Sequence, residues 1–362
     1  MAVRLIGTLD MNDIKQEDAM RYNCSSTDDV DGIAVIVDGA TGFQKDIDSD
    51  GNIYSLPDIT EGKYSSARIW ADILADEMVT IAKNPQFGMI EIMQQAIENA
   101  TKKMPVINNN FENFQCPSAS ALLCRIRGGS FEVIGSGDCC LMVEYNDGNI
   151  DLITGNEILE KLRTDRDLKI RKENPGFEFL SKEEKAKIQF KYMKETRQNL
   201  GNRKEGYFVP FYDGNKKMSD FLGTMNVVSQ TKQRGINNIG RGDIWLMLAD
   251  AENIKSFMIS SDGFLDKIIK NKIAHPREIL KNAQIDKNYI NKLGRILRKI
   301  ETGSNDDFSA VTMKLAQGKR NTGSADDAVA LYFNVSVNRN EAAQSRTNTF
   351  GLALAKHYQK SK

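Results

Sequence analysis

The stretch from residue 118 to residue 154 constrains the fold more than any other part of the chain. It contains four strand-like runs, and Gly128-Gly129 and Asn146-Asp147-Gly148-Asn149 lie between them. Both separators tolerate the positive φ angles that hairpin turns require. Hairpins join antiparallel strands, whereas parallel strands need long crossover connections. This stretch therefore predicts antiparallel sheet.

Helix and strand patterns surround this stretch. Apolar residues recur at helical spacing over 64–83, where Ser65 or Ser66 is available as an N-cap, and a second helix is expected at 89–103. Runs rich in Val, Ile and Leu predict strands. We expect strands at 3–9, 32–37, 206–212, 224–229, 256–261, 308–315 and 328–337, and helices after Phe264 and at 286–300.

Composition narrows the class of protein. The 362 residues suffice for one large domain, and 49 basic against 49 acidic residues argue against a nucleic-acid binder. No apolar run reaches the ~18 residues needed to cross a bilayer, and the N-terminus lacks the long apolar segment of a signal peptide. Five cysteines without framework spacing indicate free thiols in a reducing compartment. We expect a cytoplasmic monomer without membrane partners, and secretion without a cleaved signal stays open.

The segment 161–205 is unusually basic, with 14 Lys and Arg against 8 Asp and Glu. Such charge fits either a solvated helical insertion or a flap whose basic face attracts a phosphorylated partner. We place this flap within an insertion at about 160–245 of a domain spanning 1–337, followed by a polar tail at 338–362.

Acidic residues lie at the ends of several predicted strands, often beside glycine. These sites are Glu17-Asp18, Asp38-Gly39, Asp262-Gly263 and Asp306-Asp307. Carboxylates at strand ends of one sheet can converge, and such close like charges need cations. Hard oxygen ligands suit Mg²⁺ or Mn²⁺ better than zinc. The pattern predicts a divalent metal site.

The order of these motifs resembles the metal-dependent serine/threonine protein phosphatases of the type-2C class, in a divergent, bacterial-type form. The resemblance covers about residues 5–315, and 44 positions separate Asp262 from Asp306. The stretches that carry it are IAVIVDGATG, SASALLCRIRGGSFEVIGSGDCCLMV, FMISSDGFLDKI and GSNDDFSAVTM. It implies a four-layer αββα sandwich, an α+β fold with two central antiparallel sheets between helical pairs.

The resemblance also implies roles for individual residues. Asp38 would bridge two Mg²⁺ or Mn²⁺ ions, with the Gly39 carbonyl as a further ligand. Asp262 and Asp306 would be ligands of one ion, and Asp18, with Glu17 beside it, would reach the ions directly or through water. Asp138 stands at the position of a third, weaker ion, and Asp266 would support the ligands. Asp38 and Asp262 are thus the expected catalytic residues, acting on phosphoserine or phosphothreonine in proteins.

Two ions together lower the pKa of a shared water and offset phosphoryl charge, so no protein nucleophile is needed. This agrees with the absence of a Cys-x5-Arg motif from the sequence. The second pair, Asp326-Asp327, is a rival for the role of Asp306, which we prefer because Ser309 and the spacing match better.

The sequence departs from the family pattern at two places. Ala40 stands where many members carry a histidine, and Asp13 stands where many carry a phosphate-gripping arginine. Lys15 or Arg4 is a candidate substitute for that arginine. The departures motivate an alternative, a catalytically weak phosphatase-like regulatory or binding module. A phosphatase for small-molecule esters also stays open.

Overall fold

The computed structural model describes residues 2–10, 17–23, 30–40, 42–60, 64–107, 111–201, 209–212, 227–230, 236–239, 244–261, 264–286, 288–301 and 329–336. Within these residues the chain is a mixture of helices and antiparallel strands. The α+β class expected from the sequence is therefore confirmed.

The strands form two large antiparallel sheets and one small hairpin. Their bounds are β1 Ala2–Asp10, β2 Asp18–Asn23, β3 Val30–Ala40, β4 Lys45–Ile47, β5 Ile53–Ser55, β6 Ser118–Arg127, β7 Ser130–Ser136, β8 Cys140–Tyr145, β9 Ile150–Thr154, β10 Val227–Gln230, β11 Ile236–Ile239, β12 Ile244–Asp250, β13 Ile254–Ser260 and β14 Val329–Ser336. Among the described strands, one sheet has the order β1-β14-β13-β8-β9, a second has the order β10-β11-β12-β7-β6-β3-β2, and β4 pairs with β5.

The helices include both of those predicted near the N-terminus. Their bounds are α1 Ser66–Ala82, α2 Met89–Lys103, α3 Asn156–Glu173, α4 Lys182–Leu200, α5 Leu265–Lys270, α6 Pro276–Ile285 and α7 Tyr289–Glu301. Ser65 caps α1, since its side chain accepts a hydrogen bond from the Arg68 N–H. None of the described helices is long and apolar enough to cross a bilayer.

Three apolar clusters separate four layers. The central cluster lies between the two sheets and includes Ile36, Leu122 and Val133 from the seven-stranded sheet, with Leu141 and Phe257 from the five-stranded sheet. Because side chains alternate along a strand, neighbouring residues of the same strands face outward onto helices. This alternation gives the sandwich its helix, sheet, sheet, helix order.

The two outer clusters fix the helical layers. Val35, Val37 and Leu123 of the seven-stranded sheet pack against α1 and α2, where Trp70 is fully buried. Met142 and Met258 of the five-stranded sheet pack against α5, α6 and α7. Full burial of one large apolar side chain stabilises a fold by roughly 1.5–3 kcal/mol, so both layers contribute to stability.

The turns predicted in 118–154 connect the strands as expected. Gly128 and Gly129 have φ of 52° and 82° between β6 and β7, which pair as an antiparallel hairpin. Gly148 has φ of 81° between β8 and β9, which form a second hairpin. The predicted antiparallel sheet is confirmed here.

One local prediction needs correction. Of the strand expected at 206–212, only 209–212 is described, and it forms a single bridge between Phe211 and Ser118. Pro210 has no N–H and cannot extend a ladder. Near Asp46, Asp48 and Asp50, strands β4 and β5 pair as a short antiparallel hairpin.

The adjacent cysteines Cys139 and Cys140 pack within the apolar clusters. Cys139 lies in the central cluster, and Cys140 lies in the cluster beneath α5, α6 and α7. The four cysteines in the described part of the chain, Cys116, Cys124, Cys139 and Cys140, are buried and form no disulfide.

The basic segment is a helical hairpin, formed by α3 and α4 with a 3-10 turn at Phe177–Phe179 between them. Ile170, Phe177 and Tyr192 form its small buried core. We call residues 156–200 the basic hairpin. The helices expected in this segment are observed. The insertion at about 160–245 stays a prediction, as do the domain limits at 337 and 338, which lie outside the described residues.

Candidate metal and phosphate site

Asp18 and Asp38 are direct partners across neighbouring strands. Asp18 begins β2, Asp38 lies near the end of β3, and the two residues stand opposite each other in the antiparallel register. Such partners have Cα atoms about 4.5–5.5 Å apart. Asp38 also stands opposite Ser120 of β6. Three oxygen-bearing side chains therefore form one row across three strands.

The row faces the space between the sheets. Met20 and Ile36, two positions along from Asp18 and Asp38, pack in or against the central cluster. Side chains at i and i+2 of a strand share a face, so both aspartates project toward the five-stranded sheet. Asp18 is only 1% exposed. The hydrophobic sequence of β3 thus holds a charged residue at the edge of an apolar core.

The pKa of the Cys139 thiol, beside the five-stranded sheet, depends on burial and on nearby negative charges. Cys139 directly precedes β8 and is fully buried, and burial is the main cause that raises its pKa well above 9.0. The negative charges of Asp38, Asp138 and Asp18 raise this pKa further. Asp138 is the sequence neighbour of Cys139, whereas Asp18 and Asp38 act on its pKa from strands β2 and β3.

Gly39 is placed where no larger residue fits. A Cβ atom on Gly39 would lie 2.5 Å from the Glu17 carbonyl oxygen and 2.9 Å from the Ala67 carbonyl oxygen. The start of β2 and the first turn of α1 therefore press directly against β3 beside Asp38. Glycine permits this close backbone approach.

Asp138 is held by hydrogen bonds with side chains of two strands, β6 and β9. The Ser120 hydroxyl donates to Asp138 Oδ1, and the Asp138 N–H donates to Ser120 Oγ at 3.2 Å. The Thr154 hydroxyl donates to the Asp138 carbonyl oxygen at 3.2 Å. Gly137 has φ of 78°, and a Cβ there would overlap the Ser120 side chain. Ser120 thus connects the Asp18–Asp38 row to Asp138.

Two arginines lie near these aspartates and were not predicted from the sequence to belong to the site. Arg68 of α1 donates to the Asp18 carbonyl oxygen and pairs with Asp72 at 2.7 Å. Arg163 of the basic hairpin lies 3.7 Å from Asp138 Oδ2. Arg68 lies three residues after Ser65, the helix cap that the sequence indicates. No sequence motif relates either arginine to its aspartate.

The remaining predicted ligands cannot be placed. Asp262, Gly263 and Asp306 lie outside the described residues, as do the rival Asp326, and Asp13 and Lys15; the side chains of Arg4 and Asp266 are not described. Strand β13, which precedes Asp262, ends with Ser260 paired to Cys140, two residues after Asp138. Ser261, the residue before Asp262, is buried.

The donors present fit a divalent cation. Asp18 and Asp38 are acidic cross-strand partners, an arrangement that is destabilising without a counter-charge, and carboxylate and carbonyl oxygens are preferred by Mg²⁺ and Mn²⁺. Among the described residues, no three His, Cys, Asp or Glu side chains are placed to hold a metal ion by themselves. A complete metal site would need further ligands from the rest of the chain.

Comparison with known proteins gives similarity in structure only. No family model and no curated sequence matches the chain. Among solved structures, the serine/threonine phosphatase PstP/Ppp of Mycobacterium tuberculosis has a TM-score of 0.46 at 10% identity, covering 93% of this chain and 100% of that one. The catalytic domain of PstP in complex with 2 manganese ions has a TM-score of 0.45 at 11% identity, with coverages of 93% and 99%.

Serine/threonine phosphatase Stp1 of Staphylococcus aureus has a TM-score of 0.44 at 10% identity, covering 93% of this chain and 96% of that one. These proteins are serine/threonine phosphatases, as the motifs led us to expect. At such identities and TM-scores, the similarity does not carry an activity or a substrate over to this chain.

Proposed function

We propose that the protein is a metal-dependent phosphatase that hydrolyses phosphoserine and phosphothreonine in proteins. The observation that carries the proposal is the register of Asp18 opposite Asp38, since two acidic residues then lie side by side on neighbouring strands of the seven-stranded sheet. Neither carboxylate contributes to the apolar core there. A pair placed in this way is explained by a cation that both of them hold.

Asp18, Asp38 and the Gly39 carbonyl are the described ligands of this proposal. Asp262 and Asp306 are proposed to complete the set, on the strength of the sequence motifs. When bound, two Mg²⁺ or Mn²⁺ ions would lower the pKa of a shared water and offset the charge of the phosphoryl oxygens. Asp38 and Asp262 would position these ions relative to the substrate.

The protein's own side chains then have limited chemical roles. Ala40 is exposed at the end of β3 and carries no proton donor, so the leaving oxygen would take its proton from water. Arg68 fixes the backbone at Asp18 through its hydrogen bond to the carbonyl oxygen. Most of the positioning therefore comes from strand register and backbone contacts.

The basic hairpin supports a phosphorylated protein as substrate. It is attached beside the row, because Arg197 of α4 donates to Ser118 Oγ at 3.1 Å and Ser118 is the cross-strand partner of Ala40. Lys194 pairs with Asp46 at 2.6 Å. Most of its remaining lysines and arginines face solvent. A positive surface of this kind attracts phosphorylated, acidic segments.

The test is metal-dependent hydrolysis of p-nitrophenyl phosphate and of phosphoserine peptides by the full chain. We expect turnover with Mn²⁺, none after chelation, and a loss of at least ~100-fold in Asp38→Asn. Asp31→Asn is the matched control, because Asp31 lies at the opposite end of the same strand. Equal activity of the two variants, or turnover that ignores Mn²⁺, would contradict the proposal.

The second candidate is a phosphatase-like binding module with weak turnover. Ala40 favours it, because that place offers no general acid. In that case a phosphopeptide would bind the folded protein without being hydrolysed, and binding would survive both Asp38→Asn and Asp262→Asn. Fluorescence anisotropy with a labelled phosphopeptide, measured beside the hydrolysis assay, separates the two functions.

A further inference from the structure

Protein groups face both carboxylate oxygens of Asp138. The Ser120 hydroxyl donates to Oδ1, and the Arg163 guanidinium lies 3.7 Å from Oδ2. The Asp138 side chain is only 12% exposed. A carboxylate this buried needs a counter-charge, and Arg163 is placed to supply one.

Arg163 approaches Asp138 from a different part of the fold. Asp138 lies between β7 and β8, whereas Arg163 lies on α3 of the basic hairpin. Arg163 also lies 3.5 Å from Glu160, one turn earlier on the same helix, and its side chain is half exposed. A guanidinium is a planar cation that only donates hydrogen bonds, so it suits a carboxylate partner. A positive charge therefore lies beside Asp138.

This arrangement disagrees with a third divalent ion at Asp138. A cation bound at Oδ2 would stand next to the guanidinium, and the two positive charges would repel each other. At the other carboxylate oxygen, Oδ1, Asp138 already accepts a hydrogen bond from the Ser120 hydroxyl. Asp138 therefore does not fit the metal role that the resemblance implies.

We infer that Arg163 replaces a third divalent ion as the counter-cation of Asp138. In this protein the positive charge beside Asp138 comes from the basic hairpin. The contact between Arg163 and Asp138 also attaches α3 to the β7–β8 connection. The inference rests on the proposed function for the two other ions. Arg163 is a positioning residue, since it acts through Asp138.

The experiment counts Mn²⁺ bound per chain by equilibrium dialysis at millimolar Mn²⁺, with free ion measured by electron paramagnetic resonance. We expect two ions in the wild type and three in Arg163→Ala. In that variant the Asp138 carboxylate no longer faces a guanidinium and becomes a weak binding site for Mn²⁺. Arg163→Lys keeps a positive charge and should stay at two. Adding Asp138→Asn to Arg163→Ala should return the count from three to two.

The matched control is Arg171→Ala, which removes one positive charge from the same helix. Arg171 pairs with Glu178 at 3.0 Å, within the hairpin. We expect two ions, whereas a third would show that the total charge of the hairpin, and not Arg163, determines the count. Circular dichroism shows whether each variant is folded.

The outcomes separate this inference from the proposed function. Three bound ions in the wild type, or two in both the wild type and Arg163→Ala, would contradict the role of Arg163 as counter-cation of Asp138. Neither result would contradict the proposed phosphatase function. A folded wild type that binds no Mn²⁺ overturns the proposed function itself.

Discussion

The hydroxyl of Ser120 donates a hydrogen bond to the carboxylate of Asp138, and Ser120 is itself the cross-strand partner of Asp38. One small side chain thus connects the two parts of the site. Ser120 is 8% exposed, so water has little access to replace it. The first prediction concerns the loss of this hydroxyl.

Ser120→Ala should destabilise the protein by about 1.5–3 kcal/mol, the usual contribution of a hydrogen bond to a charged group. Urea unfolding measures the difference. Because Asp138 is the acceptor, the same substitution in an Asp138→Asn background should cost clearly less. Equal costs in both backgrounds would show that the hydrogen bond to Asp138 does not stabilise the fold.

Gly39→Ala should reduce both stability and Mn²⁺ binding. The new methyl group would lie 2.5 Å from the Glu17 carbonyl oxygen, so β2 or α1 has to move. Overpacking of this kind costs roughly 1–3 kcal/mol. Gly88→Ala is the control, since its Cβ would meet only the Glu91 carboxylate at 3.5 Å and the expected cost is below ~1 kcal/mol. Thermal unfolding and Mn²⁺ titration of both variants provide the comparison.

The Asp46–Lys194 pair should make attachment of the basic hairpin dependent on pH. Burial works to raise the pKa of Asp46, but hydrogen bonds from the Lys194 ammonium and the Ile47 N–H lower it more, so the pKa lies below 3.8. A carboxyl with a depressed folded pKa contributes stability that is present above its unfolded value and is lost as pH falls through the folded value.

The stability difference between wild type and Asp46→Asn should therefore stay constant from pH 7 to about pH 5 and shrink below pH 3.8. Chemical unfolding at each pH measures it. In a Lys194→Met background the acidic decrease should be smaller, because a main cause of the lowered pKa is gone. A decrease unchanged by Lys194→Met would locate the effect elsewhere.

Local patterns in the sequence predicted much of the fold. The helical spacing over 64–83 and 89–103 predicted α1 and α2, and the glycines at 128 and 129 predicted the β6–β7 hairpin. Helix α6 was missed, although His275 caps its first turn and Pro276 occupies the first helical position. A cap followed by proline was the signal available for it.

The candidate site was predictable only in part. The motif order suggested that Asp18 and Asp38 converge, but their register depends on pairing across a connection that the sequence does not specify. Arg163 was one of many cations in a basic segment, and its selection depends on where α3 packs. Contacts between residues distant in sequence arise from packing, which composition and spacing do not contain.

The last prediction concerns the opposite face of the strand that carries Ser120. Arg125 of β6 is fully buried, is the cross-strand partner of Glu132, and donates to its Oε2 at 2.6 Å and to the Phe87 carbonyl oxygen at 2.8 Å. Glu132→Gln leaves the buried guanidinium without its carboxylate, and breaking such a pair costs about 3–5 kcal/mol. Guanidinium chloride unfolding should show this loss, whereas Glu144→Gln, a carboxylate that pairs with the partly exposed Lys255, should cost less. A loss below ~1 kcal/mol in Glu132→Gln would mean that water reaches Arg125 beneath the α1–α2 connection.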